Sequence, residues 1–322
     1  KFKSKAMEPY DVDLEVLSCG ICHSDIHLNE GDWGAFSEFP QVSGHEIVGK
    51  VIDKGPLASL EVGDVVGVGW QAASCHACEY CTTGQENLCQ DAAKVRYTCA
   101  GGSKGGFADY WRGDARFCFK APPGLDPRTI GPLMCGGGTM YNPLVTHTKP
   151  GMHVGILGVG GLGHLGVKLA KARGNSVLAI SRLEAKRAEV LAMGADQFVA
   201  SDDEAQLAAA KNSVDVLIVT VPAAPPSWTP YFDLLKPNGK MVFVGAVPEP
   251  VPVQIWPWVC LKQLSVVGSI IAAPHDLNAL LQFAGKHPEV APAIEVMKFK
   301  DINKAIARVK AADVRFRMVL EH

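Results

Sequence analysis

No stretch of the chain approaches the roughly 18 uninterrupted apolar residues that a helix needs to cross a bilayer, so a helical membrane span is excluded. Neither sign of charge is in excess. Lys and Arg number 31 against 33 Asp and Glu, a net charge of −2, which gives no field to draw nucleic acid or an anionic membrane to the protein. Small molecules are the expected partners. Low-complexity tracts and internal repeats are also lacking: the 33 glycines and 21 prolines are spread along the chain, which rules out disorder as their explanation. Length is not lacking, since 322 residues suit about two domains, each with its own core, and exclude a small disulfide-stapled scaffold. The chain opens at Lys1 almost directly on the alternating run Asp11–Leu17, and residues are expected to precede it.

Ten cysteines stand out against this background, four of them between Cys75 and Cys89. With no apolar leader ahead of the fold, a reducing, cytoplasmic setting is expected, where clustered thiols bind metal rather than pair. Cys75-His-Ala-Cys78-Glu-Tyr-Cys81, then Cys89, would give tetrahedral Zn2+ a closed shell of four sulfurs, which is a structural site. A second set is dispersed: Cys19-Gly-Ile-Cys22-His-Ser-Asp25-Ile-His27, then Gly44-His45-Glu46, and much later Cys135 before three glycines. Two thiolates and an imidazole would leave a zinc ion one open position, but spacing alone does not assemble them.

Organisation follows from pattern. Short alternating runs such as Ile47–Ile52 and Asp64–Val68, broken by glycines, predict an antiparallel, barrel-like β domain over residues 1–125. From 126 to 273 apolar strands alternate with helical periods, predicting a doubly wound parallel sheet. Residues 274–322, with two helices and a last strand, are expected to rejoin the first domain. The strand His153–Leu157 runs into Gly158-Val-Gly160-Gly161-Leu162-Gly163 and then a helix, the context in which such a glycine run cradles a dinucleotide pyrophosphate. An NAD-specific site would carry an acidic residue at the end of the second strand. Here Ser181-Arg182 stands there, with Lys186 and Arg187 following, and such a cationic cluster suits the 2′-phosphate of NADP(H).

With these residues in view, nearly the whole chain resembles the zinc-dependent medium-chain alcohol dehydrogenases, in their cinnamyl alcohol dehydrogenase-like, NADP-dependent branch. The resemblance implies a GroES-like β catalytic domain beside a Rossmann domain. It implies a catalytic zinc on Cys22, His45 and Cys135, with Glu46 behind the metal as an alternative ligand and Asp25 orienting His45. It implies that zinc polarises the alcohol or carbonyl oxygen while hydride moves to or from nicotinamide, and that the hydroxyl proton leaves through Ser24 and His27. Contacts to the cofactor would come from His23, Thr139 and Arg315, with Arg317 the alternative register for the last. Trp33, Trp256 and Trp258 are candidates for an aromatic substrate wall, with Trp258 better read as core. The function implied is NADP(H)-dependent interconversion of primary alcohols and aldehydes, aromatic or medium-chain, by a homodimer. The rivals are an NAD-dependent polyol or secondary-alcohol dehydrogenase and a non-catalytic zinc and nucleotide-binding protein. Two departures are noted: a short N-terminal strand region, and a short span from Tyr97 to Phe107 before Gly-Gly-x-Ala. Both are read as residues not included in the chain rather than as evolved deletions.

Overall fold

The computed structural model describes residues 4–322. Packing divides the chain into two units, one running through Gly138 and resuming at Ile271–His322, the other Thr139–Ile270.

The first unit is built on one long strand, Asp11–Ile21, whose two halves face different partners. Its first half pairs with Tyr110–Asp114 and its second half with the chain's last strand, Arg317–Glu321, while Glu46–Lys54 runs antiparallel along the other edge. The sheet continues through Val65–Val68 to Cys118–Lys120 on one side and to Ile294–Lys298 on the other. Alternation explains the core: Val12, Leu14 and Val16 point the same way and are buried with Ile47, Val51, Val66, Val68 and Trp111. The tail earns its place through a second cluster, in which Ala305 and Val309 of the helix Ile302–Lys310 pack with Met318 and Leu320 against Ile21 and Ile26. Ile26 belongs to the helix His23–Glu30, so the tail holds down the helix that carries the candidate relay.

The sequence pattern changes at residue 126, but the packing boundary lies after Gly138. The reason is steric and local. Asp126 caps the helix Pro127–Pro132 by accepting from the Arg128 N–H at 3.0 Å, and this helix lies so close to the sheet that a Cβ on Gly131 would sit 2.5 Å from the Glu46 carbonyl oxygen. The π-turn Leu133–Gly137 that follows brings Cys135 into this unit. The short Tyr97–Phe107 span does not leave the domain open. Gly105, Gly106 and Phe107 donate to the carbonyls of Val42, Gly44 and Ser43 at 2.7, 2.7 and 2.9 Å, which seals it onto the segment that leads through His45 into the strand Glu46–Lys54.

The second unit is a six-stranded, wholly parallel sheet. In space the strands run Gln197–Ala200, Ser176–Ser181, His153–Leu157, Val214–Val219, Leu235–Phe243, Ser265–Gly268, the 3-2-1-4-5-6 order of a dinucleotide-binding fold. Its inner strands His153–Leu157, Ser176–Ser181 and Val214–Val219 are near-continuous buried runs, as a sheet covered on both faces requires. Trp258 is core, stacked on Phe232 with ring centroids 4.2 Å apart. Phe232→Ala is expected to cost about 3–5 kcal/mol through the cavity it leaves, read as a lowered denaturant midpoint for the nucleotide unit.

Candidate active site and metal centres

The end of the first strand sets the geometry. Cys22 follows Ile21 and caps the helix His23–Glu30, and its backbone N–H donates to Asp25 Oδ2 at 3.0 Å. Asp25 Oδ1 accepts from the Gly44 N–H at 2.9 Å and from His45 Nδ1 at 2.8 Å, with the Cys99 thiol 3.8 Å away. The bond from Nδ1 turns the other face of the His45 ring toward Cys135, whose sulfur lies 3.1 Å from Nε2. The ligand atoms of Cys22, His45, Glu46 and Cys135 all lie within 4.8 Å of one another. Ninety residues of chain separate His45 from Cys135, and the fold closes that gap.

The electrostatics are those of a cation's seat. Cys135 hydrogen-bonds to the Cys22 sulfur and pushes that thiol well below its ordinary range, while Cys135 itself is pushed up by the same bond and by burial. Burial pulls His45 down, but Asp25 and Cys135 outweigh it and carry the imidazole well up. Burial raises the Glu46 carboxyl to about 7 against the pull of Arg317, which is paired to its Oε1. Oε2 of Glu46 is buried with no hydrogen-bond partner, and one oxygen of the carboxylate lies within 4.8 Å of the two sulfurs and the imidazole. Two sulfurs, one nitrogen and a reserve carboxylate fit zinc in a three-ligand site with an open position.

The second metal set fits as well. Cys75, Cys78, Cys81 and Cys89 place their sulfurs within 4.8 Å of one another. Cys75 Sγ accepts from the Ala77 and Cys78 N–H groups at 3.4 and 3.2 Å, and Cys89 Sγ from the Cys75 N–H at 3.4 Å. Backbone donors to sulfur favour thiolates, and bonds of this kind from Cys81 and Gln90 lower Cys78 to about 6. Gln71 Nε2 donates to the Glu86 carbonyl at 2.7 Å and ties the loop to the domain.

In the nucleotide unit, Gly158 follows the first strand at φ 97°, and a Cβ on Gly163 would lie 1.9 Å from the Gly158 carbonyl oxygen, so the turn and the helix start both require glycine. Beside Gly160 the space is empty to 4 Å, as a backbone approached by a pyrophosphate must be. Gly161 and Leu162 lead into the helix Gly163–Ala172. Ser181 is buried at the end of the second strand. Arg182 is exposed and makes no side-chain hydrogen bond or ion pair with the described residues. The rest of the cationic cluster is committed: Lys186 donates to the Val159 carbonyl at 3.0 Å, and Arg187 is held by Glu184 and by Gln206.

Other expected residues are placed as follows. Ser24 Oγ lies 3.7 Å from the Cys22 sulfur, and His27 follows one turn later on the same helix. His23 opens that helix, and Thr139 is buried in the first turn of Gly138–His147. Arg315 is exposed, with its guanidinium over Phe316, and Arg317 is paired with Glu46. Trp256 is 68% exposed on the nucleotide unit, whereas Trp33 belongs to an aromatic chain that starts at the metal ligand. Trp70 meets His45 edge-on at 5.0 Å, and Trp33 and Tyr97 each lie 5.6 Å from Trp70. Trp70 and Tyr97 were not evident from sequence, although Trp70 stands two residues after the strand Val65–Val68 and five before Cys75.

Comparison with known proteins agrees with this geometry. Residues 8–123 match the family described as Alcohol dehydrogenase GroES-like domain, and residues 161–286 match Zinc-binding dehydrogenase. A cinnamyl alcohol dehydrogenase structure from Sorghum bicolor superimposes with a TM-score of 0.93 at 39% identity, covering 99% of this chain and 92% of that one. The chain belongs to the zinc-dependent medium-chain alcohol dehydrogenases, in their cinnamyl alcohol dehydrogenase branch. The 8-hydroxygeraniol dehydrogenase of Catharanthus roseus is 40% identical over 99% of this chain and 90% of its own length. The CAD of Helicobacter pylori, solved in complex with NADP(H), has a TM-score of 0.88 at 32% identity over 99% of this chain and 92% of that one. This cinnamyl alcohol dehydrogenase-like chain is therefore an oxidoreductase of alcohols and aldehydes. Elemental analysis of purified protein is expected to find about two zinc ions per chain, and about one in either Cys22→Ser or Cys78→Ser, since each substitution removes a ligand from a different site.

Proposed function

We propose that the protein interconverts primary alcohols and aldehydes with NADP(H), and that its substrates are aromatic, cinnamyl-type or medium-chain. The observation that carries this reading is the convergence of Cys22, His45 and Cys135 with the buried carboxylate of Glu46. Cys22, His45 and Cys135 would hold the catalytic zinc, with Glu46 in reserve, and the four-cysteine loop the structural one. When bound, zinc supplies a Lewis acid to the substrate oxygen and NADP(H) exchanges the hydride.

The remaining work falls to the chain's own side chains. Asp25 orients His45 and fixes which ring nitrogen faces the metal seat. Ser24 and His27 lie three residues apart on one helix, on the same face, and carry the hydroxyl proton outward. Arg317 neutralises Glu46, so the buried carboxylate is not left as an unpaired charge beside the ligands. Trp33, Trp70 and Tyr97 offer an aromatic wall next to His45, with rings set at 81° and 38° to one another, and aromatic rings packed against it favour conjugated substrates. On the nucleotide unit, Gly158, Gly160, Gly161, Leu162 and Gly163 cradle the pyrophosphate. Ser181 and the uncommitted Arg182 receive the 2′-phosphate, with Lys186 bracing the glycine loop. His23 and Thr139 complete the cofactor contacts.

Self-association as a homodimer is supported by the outermost strand Ser265–Gly268, which has an unpaired edge and exposed Val266, flanked by exposed Ile255, Trp256, Leu261 and Ile270. A cytoplasmic location is supported by the need of both metal sites for reduced sulfur. Cys22→Ser should lower aldehyde turnover by at least about a thousandfold, the scale of a lost Lewis acid, while NADPH affinity by fluorescence titration stays within about twofold. A protein that only binds nucleotide would show no such split.

A further inference from the structure

We propose that Thr220 is a positioning residue for the pyrophosphate cradle: its hydroxyl holds the Gly158 carbonyl and so fixes the Val159 N–H in the opposite direction. This rests on the reading of the glycine run at 158–163 as the seat of the pyrophosphate. The placement comes from sheet register. Val219 stands opposite Leu157 in the parallel pair His153–Leu157 and Val214–Val219, so the two strands end together and Thr220 comes to lie beside Gly158. Thr220 Oγ1 is 2.7 Å from the Gly158 carbonyl oxygen and 3.0 Å from that of Leu157. A hydroxyl has one proton to give. The Leu157 carbonyl already accepts from the Thr220 N–H at 2.9 Å, so the proton goes to the shorter contact, Gly158. The approach is close enough to require glycine, since a Cβ on Gly158 would lie 2.8 Å from this oxygen.

Across a planar trans peptide the C=O of one residue and the N–H of the next point in opposite directions, so holding a carbonyl also aims the following N–H. Three successive carbonyls of the turn are held in this way. Gly158 is held by Thr220, Val159 by Lys186 Nζ at 3.0 Å, and Gly160 by His164, whose Nδ1 lies 3.2 Å away and whose backbone N–H donates at 3.0 Å. The N–H groups of Val159, Gly160 and Gly161, each the far end of one of these peptides, donate to no described residue. Three backbone donors are thereby fixed with no acceptor of their own, which is what an anion-binding turn needs. The three braces differ in what else they do. Lys186 brings a charge, and His164 is fully buried in the helix that follows. Thr220 is neutral, so replacing it by the isosteric Val removes the brace with no change of charge or volume.

The test titrates the zinc-loaded enzyme with NADPH by fluorescence and displaces it with 2′-AMP or 2′,5′-ADP, the second of which adds only the 5′-phosphate that the cradle would receive. Thr220→Val is expected to weaken NADPH and 2′,5′-ADP by about fivefold each, the scale of one hydrogen bond, and to leave 2′-AMP within about twofold. NADH carries the same pyrophosphate and should weaken by the same factor, so the ratio of the two cofactor affinities stays where it was. Thr220→Ser keeps the hydroxyl and should restore NADPH affinity to within about twofold of the unaltered enzyme. Unchanged NADPH affinity in Thr220→Val, an equal loss for 2′-AMP, or no recovery in Thr220→Ser would overturn the assignment. Should 2′,5′-ADP bind the unaltered enzyme no tighter than 2′-AMP, the cradle reading fails, and this role for Thr220 fails with it.

Discussion

One buried carboxylate holds the catalytic side of this molecule together. Asp25 is fully buried, and an ion removed from water is costly unless its oxygens are met by donors. Here Oδ2 takes the Cys22 backbone N–H, and Oδ1 takes the Gly44 N–H and the His45 ring. Those bonds join the end of the first strand, the first turn of the following helix and the entry to the next strand. Two zinc ligands are thereby set before any metal arrives. The third, Cys135, is delivered by a helix that packs within glycine distance of the sheet.

A second buried ionic contact links the chain's ends. Glu46, next to the ligand histidine, is paired with Arg317 in the last strand, which hydrogen-bonds to the first. The tail is thus part of the metal site's environment as well as of the sheet. Around the same histidine, Trp70 and Trp33 pass from the ligand to the ring of His27, so the apolar wall and the candidate proton path share a side chain.

Much of this was legible in sequence where the signal is local. The four-cysteine loop, the glycine run between strand and helix, and the alternation of the second unit all read directly, because each is short-range chemistry. The dispersed ligands did not follow from spacing, since nothing local relates His45 to Cys135. They were legible through the order of motifs along the whole chain. Arg315 and Arg317 show the limit of periodicity: two residues apart, they share a face in a period-2 pattern, and only the strand's start at Arg317 separates them. The cationic run after the second strand reads as one cluster in sequence. In three dimensions Arg187 is spent on Glu184 and Gln206, and Lys186 on the glycine loop, which leaves Arg182 as the uncommitted charge. Trp70 was missed because its meaning depends on what it touches.

The most direct measurement is the steady-state rate of NADPH oxidation by zinc-replete protein with cinnamaldehyde and a short panel of aliphatic aldehydes, repeated with NADH and with Arg182→Asp. The account predicts turnover that favours NADPH and a preference for NADPH over NADH that falls about ten- to a hundredfold in Arg182→Asp, the scale of a lost charge-assisted contact. Equal use of both cofactors, or no turnover with any aldehyde, would contradict it.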